Sequence, residues 1–468
     1  MAATGVQDAI RLIQGGERAA AVAVISALLA TRPALNDLWL PLANAALGIG
    51  EMSLAEAAAR NYLAVNKQQT QRLVQYAGVL AETGKLDKAL KLVRPQLKKN
   101  PDDAALNHFC GTVYQQQGEL SLAAKHLRRA LKSARLSGAS WLTLAAQHRF
   151  TENDALLDRL RLLAADFAQT EPFNQVQYHF ALGKALLDVS EDDLAFDEFS
   201  AGAVLAPGRR NYNAAGEAAY VDAVIAGHAK LPLPRASESE DNPAIFLLGM
   251  PRSGTTLLQR ILSAARNIAD GGEFAGIGVA SMDYRRALAS GGAPTLDEVH
   301  SNYLHVSKER FGGNSRIVDK SINNLYYAGI IAHTFPAAPI ILLERNARDV
   351  AWSCFRTCFN RGMHWSWALD DIGAHLRAEQ RLMEHWKTVM PERLIVVQYE
   401  RLVREPQQVL PDLFARCGLE FGEHVYNFYQ RKSPVMTASV AQVNRALNAN
   451  SIGSAARVAH RLIQLGDI

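Results

Sequence analysis

Four glycines recur at a fixed interval near the start of the chain. Gly16, Gly50, Gly84 and Gly118 stand 34 residues apart, and an alanine follows each of them five residues later. Small residues at constant offsets are typical of stacked helical hairpins, because paired helices must approach closely and the chain must turn between them. A hairpin of this kind buries its apolar face only by stacking on its neighbours. The sequence therefore predicts one all-α superhelix over residues 1–229.

The pattern is interrupted between Gly138 and Thr170 and resumes at Gly183, with Ser190 in the place of the turn glycine. At its small positions it resembles the tetratricopeptide repeat. The resemblance implies a concave face that binds an extended protein or peptide. A second interpretation stays open, in which the array anchors the chain in a complex or pairs two copies as a homodimer.

A linker and a second domain follow the repeats. Residues 230–243 combine prolines with small and acidic residues and lack periodicity, as linkers do. Beyond them, apolar strand segments alternate with amphipathic stretches, which predicts a parallel β-sheet covered by helices on both faces, over residues 244–468. The predicted strands are Ala244–Leu248, Arg316–Val318, Pro339–Leu343 and Leu394–Val397. Each is followed directly by polar residues that could serve one site at the carboxyl ends of the strands.

The first of these strands runs into a glycine loop and then a helix, IFLLGMPRSGTT (245–256). Gly249 and Gly254 allow backbone N–H groups to close around an anion, and the amino terminus of the helix adds to the attraction. Thr255 stands where nucleoside triphosphatase loops of the GxxxxGK type have a lysine, and the cation Arg252 lies inside the loop. The loop favours a phosphate-like ester and disfavours a phosphoryl-transferring kinase.

PRSGTTL after an apolar strand resembles the 5'-phosphosulfate loop of sulfotransferases that use 3'-phosphoadenylyl sulfate. The similarity is to bacterial sulfotransferases that contain tetratricopeptide repeats and, more distantly, to tyrosylprotein sulfotransferases. It implies an α/β, P-loop-like sulfotransferase domain without a metal. The donor-binding residues that it implies here are Arg252, Ser253, Gly254, Thr255 and Thr256.

A second motif, ILLERNARDVAWSCF (341–355), matches the same family. There a strand-end arginine and a serine eight residues later hold the 3'-phosphate of the donor, and Arg345 and Ser353 have that spacing. A guanidinium and a hydroxyl suit a dianion. Without the upstream loop, Arg345 and Asp349 would be interpreted as an ion pair at a helix start. Two separate phosphate sites imply a bisphosphorylated nucleotide, with adenosine 3',5'-bisphosphate as the product.

Weaker similarities supply further candidates. Lys320 resembles the lysine that reaches the sulfuryl group, and Tyr399 resembles a tyrosine near the nucleotide; both could equally be ordinary strand-end side chains. Residues 437–443 and 451–453, which include Ser451, resemble the segment that folds over the donor.

The candidate catalytic base is Glu273. It follows two glycines, as does the glutamate that takes the acceptor's proton in tyrosylprotein sulfotransferases. Glu273, Arg252 and Lys320 are therefore the predicted catalytic residues. A helix cap or a surface glutamate is the alternative for Glu273, and His333, His364 and His375 are competing bases.

Composition excludes several classes of function. Fifty basic against 46 acidic residues leave a net charge of +4, too small for a nucleic-acid-binding surface. The four cysteines lack zinc-pair spacing and favour a reducing compartment. The amino terminus lacks a basic segment followed by an apolar core, and no run of about 18 apolar residues occurs. We expect a cytoplasmic protein without a membrane span.

Two functions of different classes follow. In the first, the chain moves a sulfuryl group from 3'-phosphoadenylyl sulfate to a hydroxyl, with a protein tyrosine favoured and a small molecule or glycan left open. In the second, the repeats form a scaffold and the C-terminal domain is an inactive nucleotide-binding remnant. Departures from the family pattern support the second, at Asn346, Ala347, Ala446, Ser454 and Ala455. The surviving basic and acidic residues named above favour the enzyme.

Overall fold

The computed structural model describes residues 2–235, 243–313, 316–359, 362–430, 445–466 and 468. The described chain up to His228 is built from helices joined by short turns. These helices are α1 (Ala2–Gln14), α2 (Arg18–Thr31), α3 (Trp39–Gly48), α4 (Met52–Val65), α5 (Thr70–Glu82), α6 (Leu86–Lys99), α7 (Ala104–Gln116), α8 (Leu120–Ser133), α9 (Gly138–Gln147), α10 (Ala155–Leu162), α11 (Ala164–Phe167), α12 (Pro172–Asp188), α13 (Asp192–Leu205) and α14 (Ala214–His228).

The recurring glycines lie in the turns between helices. Their φ angles lie between +76° and +82°, the left-handed region that glycine enters without a Cβ penalty. Ser190 occupies the equivalent turn at φ +64°, as the sequence pattern predicts. The alanines five residues after the glycines are fully buried. The helical architecture of this region is confirmed, and its tetratricopeptide assignment stays a prediction.

The second part of the chain contains a parallel sheet with helices around it. Its described strands are β1 (Ala244–Leu248), β2 (Ile268–Asp270), β3 (Arg316–Asp319), β4 (Ile340–Glu344) and β5 (Leu394–Gln398), in the spatial order β2-β3-β1-β4-β5. Its helices are α15 (Thr255–Leu262), α16 (Gly276–Ala280), α17 (Met282–Ala289), α18 (Leu296–Phe311), α19 (Ala328–Thr334), α20 (Ala347–Phe355), α21 (Leu369–Val389), α22 (Tyr399–Arg404) and α23 (Pro406–Arg416).

The central strand β1 is buried on both faces. Phe246 and Leu248 pack into the larger apolar core, whereas Ile245 and Leu247 pack into a second core on the opposite face of the sheet. All strand pairs in the described sheet are parallel. The strands before β4 lie on one side of β1 and β5 lies beyond β4, so the strand order reverses at β1. Ligands bind to such sheets at the carboxyl end of the strand where the order reverses.

The helical part packs directly on the sheet-containing part. The backbone N–H of Ser53 donates to Glu309 on α18 (2.7 Å), and a Cβ added at Gly50 would lie 2.8 Å from Val306 on the same helix. Phe196 on α13 stacks on Trp352 of α20, with ring centroids 5.9 Å apart. The two parts therefore share a core, and the domain limits given above stay a prediction. Across the described residues, every helix is too short or too polar to span a bilayer.

Candidate active site

The glycine loop after β1 turns sharply into α15. Arg252 has φ +67° and Gly254 has φ +106°, so two left-handed residues reverse the chain within a short loop. The backbone N–H of Ser253 donates to the carbonyl of Met250 (3.1 Å), which closes the turn. The thiol of Cys354 donates to the carbonyl of Pro251 (3.6 Å) and ties the loop to α20. The first helical residue, Thr255, thus lies at the carboxyl end of β1.

Arg345, at the end of β4, is joined to the loop. Its guanidinium donates to the carbonyl of Arg252 (3.1 Å) and to that of Ser451 (2.7 Å). Arg252 Nε in turn donates to Ser353 Oγ (3.1 Å). The two predicted phosphate sites, one in the loop and one at Arg345 and Ser353, are therefore neighbours that meet at Arg252.

The C-terminal segment closes this side of the site. Tyr399 and Ser451 share a hydrogen bond of 2.7 Å between their hydroxyl oxygens, and Arg345 lies over the Tyr399 ring at 4.4 Å from its centroid. Asp349 accepts from the backbone N–H groups of Gly453 (2.7 Å) and Ala455 (2.9 Å). This carboxylate holds the C-terminal segment in place. Residues 437–443, the other predicted part of the donor cover, lie outside the described residues.

Glu273 and Lys320 meet on the other side of the loop. Lys320 Nζ is 3.1 Å from Glu273 Oε1 and 3.4 Å from Thr256 Oγ1. Gln259 on α15 positions the pair, because its amide donates to the carbonyls of Gly272 and Val318. The Lys320 side chain is 5% exposed, and that of Glu273 is 42% exposed. A buried cation and an accessible carboxylate thus stand next to each other.

Asp319, one residue before Lys320, has a structural role. Burial raises the pKa of its carboxyl to about 6, although Asn324, Ser321 and Tyr303 all donate to it. The carboxylate fixes the end of β3 and the position of Lys320. The other polar strand-end residues also lie away from the loop: Glu344 pairs with Lys387, Gln398 donates to Glu344, and Glu400 accepts from the backbone N–H of Asn346.

A cavity of about 500 Å³ lies where these groups converge. It brings together nearly all of the predicted site residues: Arg252, Gly254, Thr255, Thr256, Glu273, Lys320, Arg345, Ser353, Tyr399 and Ser451. Ser253 is buried beneath the loop and does not line the cavity. Among the competing histidines, His333 binds the carbonyl of Pro232, whereas His364 and His375 line a second cavity.

The cavity wall also includes basic residues that the sequence motifs did not predict. Arg356 on the turn after α20 and Arg445 and Arg457 near the C-terminus contribute three cations. The helical part contributes Arg149 and Lys184, and the Lys184 ammonium donates to the carbonyl of His148 and to Asp188. Arg356 lies one helical turn beyond Ser353, a spacing that could have identified it. Lys184 and Arg149 reach the cavity only through tertiary packing.

The cations around the cavity are held close together at an energetic cost. Burial, followed by the charges of Arg252 and Arg345, lowers the pKa of Arg356 to about 10. Burial also lowers the pKa of Arg252, and the charge of Arg345 adds to the effect. A bound polyanion would offset both contributions. Arg345 lines the cavity, and its Nε is buried and lacks a hydrogen-bond partner among the described residues, which leaves one further donor for such a ligand.

Comparison with known proteins finds a family model that matches this region. Residues 243–423 match the model of the sulfotransferase family. A stretch of 225 residues is 32% identical to an uncharacterized protein of Aquifex aeolicus (strain VF5), covering 44% of this chain. The chain spans 30% of the length of that curated relative. A sulfotransferase-type domain in the C-terminal region is thereby confirmed.

Solved structures of bacterial sulfotransferases also align with part of the chain. The sulfotransferase domain from the curacin biosynthetic pathway is 15% identical, with a TM-score of 0.30, over 47% of this chain and 98% of that one. A sulfotransferase from Mycobacterium tuberculosis H37Rv is 13% identical, with a TM-score of 0.29, over 61% of this chain and 97% of that one.

Proposed function

We propose that this chain is a sulfotransferase that moves the sulfuryl group of 3'-phosphoadenylyl sulfate to a hydroxyl acceptor. The observation that carries the proposal is the convergence of Arg252, Lys320 and Arg345 with the accessible carboxylate of Glu273 in one cavity. These four residues follow four neighbouring strands, β2, β3, β1 and β4, within the region that matches the sulfotransferase family.

The donor carries two anionic groups, and the site offers two adjoining sets of donors. Arg345 and Ser353 would hold the 3'-phosphate, and residues 252–256 would hold the 5'-phosphosulfate through backbone N–H groups and hydroxyls. Arg345 Nε, which is buried and without a hydrogen-bond partner among the described residues, fits the first of these roles. The clustered charges of Arg252, Arg345 and Arg356 suit a polyanionic nucleotide better than a neutral one.

The reaction is a displacement at sulfur. The acceptor oxygen forms a bond to sulfur while the bond between sulfur and the 5'-phosphate oxygen breaks, and adenosine 3',5'-bisphosphate leaves. Glu273 takes the acceptor's proton, and its ion pair with Lys320 keeps both groups beside the reacting atoms. Arg252 and Lys320 stabilise the negative charge that moves to the leaving oxygen.

The acceptor hydroxyl is proposed to belong to a polypeptide, with tyrosine as the first residue to test, and the reaction to take place in the cytoplasm. The polypeptide acceptor is supported by the position of the cavity between the two parts of the chain, where Lys184 and Arg149 of the helical part form one of its walls. A polypeptide segment bound by the helical part would enter this cavity along the wall formed by Lys184 and Arg149 and reach Glu273 there.

Isothermal titration with adenosine 3',5'-bisphosphate and with ADP tests the donor. We expect the bisphosphate to bind at least ~tenfold tighter, about 1.4 kcal/mol, because ADP lacks the 3'-phosphate. Arg345→Ala should abolish the preference. Arg401→Ala, which removes an arginine exposed on α22, is the control and should keep it. Equal affinities of the wild-type protein for the two nucleotides would rule out this donor.

A further inference from the structure

A second cavity adjoins the first. It has a volume of about 370 Å³, and Pro251, Ile322 and Met363 line both cavities. It lies between α14 of the helical part and α21 of the sheet-containing part, which contribute Glu217 and His375 respectively. A molecule in this cavity can therefore extend past Pro251 and Ile322 toward the loop that holds the reacting groups.

A buried cluster of two carboxylates and one imidazole forms the floor of the second cavity. Glu217 accepts from Tyr212 (2.5 Å), from Tyr326 (2.8 Å) and from His375 Nδ1 (2.8 Å). Glu379 lies one helical turn after His375, with 3.6 Å between His375 Nε2 and Glu379 Oε1. Glu217 thus accepts three hydrogen bonds, whereas His375 Nε2 lies beyond hydrogen-bond distance of Glu379 Oε1.

Two polar atoms of this cluster have no hydrogen bond within the described part of the chain. His375 Nε2 and Glu379 Oε2 are buried and have no hydrogen-bond partner among the described residues. Both residues are more than nine-tenths buried, at 5% and 1% exposure, and both line the cavity. When His375 is neutral and its Nδ1 donates to Glu217, its Nε2 is an acceptor. Two adjacent acceptors at the floor of a cavity call for a ligand group with several donors.

The charge and the shape of the walls narrow the choice of ligand group. The described residues that line this cavity include two carboxylates and two imidazoles and no lysine or arginine. Burial raises the pKa of Glu379 to about 7, although the nearby His375 lowers it, and the charge of Glu217 adds to the increase. The rest of the described lining combines four tyrosines and Trp365 with three asparagines and aliphatic side chains, and Trp365 stacks on His375 with ring centroids 3.9 Å apart. Tyrosine and tryptophan faces attract cations.

We infer that the second cavity is the acceptor site and that the acceptor carries an ammonium group, which binds Glu379 and His375 while its hydroxyl points toward Glu273. The inference rests on the proposed sulfuryl transfer for the role of the hydroxyl. The ammonium chemistry has two sources, a free aromatic amine or a lysine beside a tyrosine in a peptide. An ammonium offers three donors to the two unpartnered acceptors.

Titration calorimetry with three phenols of similar shape tests the inference on the full-length protein. Tyramine carries the ammonium, 4-ethylphenol lacks it, and 3-(4-hydroxyphenyl)propionate replaces it by a carboxylate. We expect tyramine to bind at least ~tenfold tighter than either of the others, because only it can form a charge-assisted hydrogen bond to Glu379. Equal binding of tyramine and 4-ethylphenol, or tighter binding of the carboxylate, would overturn the inference.

Substitution of one carboxylate locates the binding site. Glu379→Gln should remove the tyramine preference and leave the affinity for 4-ethylphenol and adenosine 3',5'-bisphosphate unchanged. Glu384→Gln, which changes an exposed glutamate on the same helix, should keep the preference. If folded Glu379→Gln still prefers tyramine to 4-ethylphenol, the ammonium group does not bind at Glu379 and the inference is wrong. If Glu379→Gln fails to fold, the comparison of the three phenols on the wild-type protein still decides.

Two peptides distinguish the sources of the ammonium. A peptide with a tyrosine beside a lysine is compared with one in which norleucine replaces the lysine. If the peptide with lysine binds more tightly than the peptide with norleucine, the acceptor is a polypeptide. If tyramine binds and the two peptides bind equally, the acceptor is a free amine. Failure of adenosine 3',5'-bisphosphate to bind would remove the proposed function, whereas loss of amine selectivity alone would remove only this inference.

Discussion

Substitution of Gly254 by alanine is a severe test of the loop geometry. Gly254 has φ +106°, and a Cβ there would lie 2.5 and 2.6 Å from two carbons of the Tyr399 ring. The ring has little room to retreat, because Tyr399 is 6% exposed, hydrogen-bonds Ser451 and lies under Arg345. The added methyl group therefore forces a change in the loop or in the contacts that hold the proposed 3'-phosphate site.

The cost has two parts. A left-handed conformation costs an L-residue about 1–2 kcal/mol, and overpacking of a filled space costs about 1–3 kcal/mol. The sum of the two costs predicts that Gly254→Ala loses about 2–5 kcal/mol, divided between the free energy of unfolding and the free energy of nucleotide binding. A loss of 2 kcal/mol in binding alone would weaken adenosine 3',5'-bisphosphate about 30-fold.

Urea denaturation and titration calorimetry measure the two parts. Gly291→Ala is the matched control, because Gly291 has φ +77° and nothing lies within 4 Å of its added Cβ. Gly291→Ala should lose only the about 1–2 kcal/mol that the left-handed backbone conformation costs, and it should bind the nucleotide as tightly as the wild-type protein. The reasoning fails if Gly254→Ala matches Gly291→Ala in stability and binds adenosine 3',5'-bisphosphate as tightly as the wild-type protein.

Three further predictions concern named charges. Glu273→Gln should lower turnover ~100-fold with nearly unchanged donor affinity, because the amide cannot accept a proton; wild-type turnover would contradict the assigned base. Arg356→Met should weaken adenosine 3',5'-bisphosphate at least ~fivefold by calorimetry, since Arg356 adds charge to Arg252 and Arg345; equal affinity would exclude it from the site. Burial raises the pKa of Glu379 from 4.5 to about 7, so the folded state keeps a proton that the unfolded state loses between these pH values. The free energy of unfolding should therefore fall by about 2–3 kcal/mol from pH 5 to pH 8 relative to Glu379→Gln, as measured by urea denaturation, and parallel pH profiles would contradict the assignment.

Local patterns predicted the sheet well. The predicted strand at Ala244–Leu248 matches β1, and those at Arg316–Val318 and Leu394–Val397 end one residue before β3 and β5 do. Continuous apolar runs are local features that a buried parallel strand requires on both faces. The edge strand Ile268–Asp270 was missed because three residues carry too short a pattern.

Local patterns predicted the site less completely. Arg252, Glu273, Lys320 and Arg345 follow strands or belong to motifs, and the carboxyl ends of neighbouring parallel strands meet by topology alone. Residues that reach the cavity from the helical part have no such local marker. Lys184 lies at an ordinary helix position and reaches the cavity only because α12 packs beside it. The second cavity was missed for the same reason, since Glu217 and Glu379 are 162 residues apart in the sequence.

The helical part supports the candidate active site as well as lining it. Helix α20, which carries Ser353, packs through Trp352 on Phe196 and Phe199 of α13. Glu217 of α14 completes the floor of the second cavity. A chain shortened to residues 243–468 would expose these apolar faces and remove cavity walls, so its loss of activity would report on folding rather than on acceptor capture. Selection of a polypeptide acceptor by the helical part therefore has to be tested by substitutions in the full-length chain that leave the affinity for adenosine 3',5'-bisphosphate unchanged.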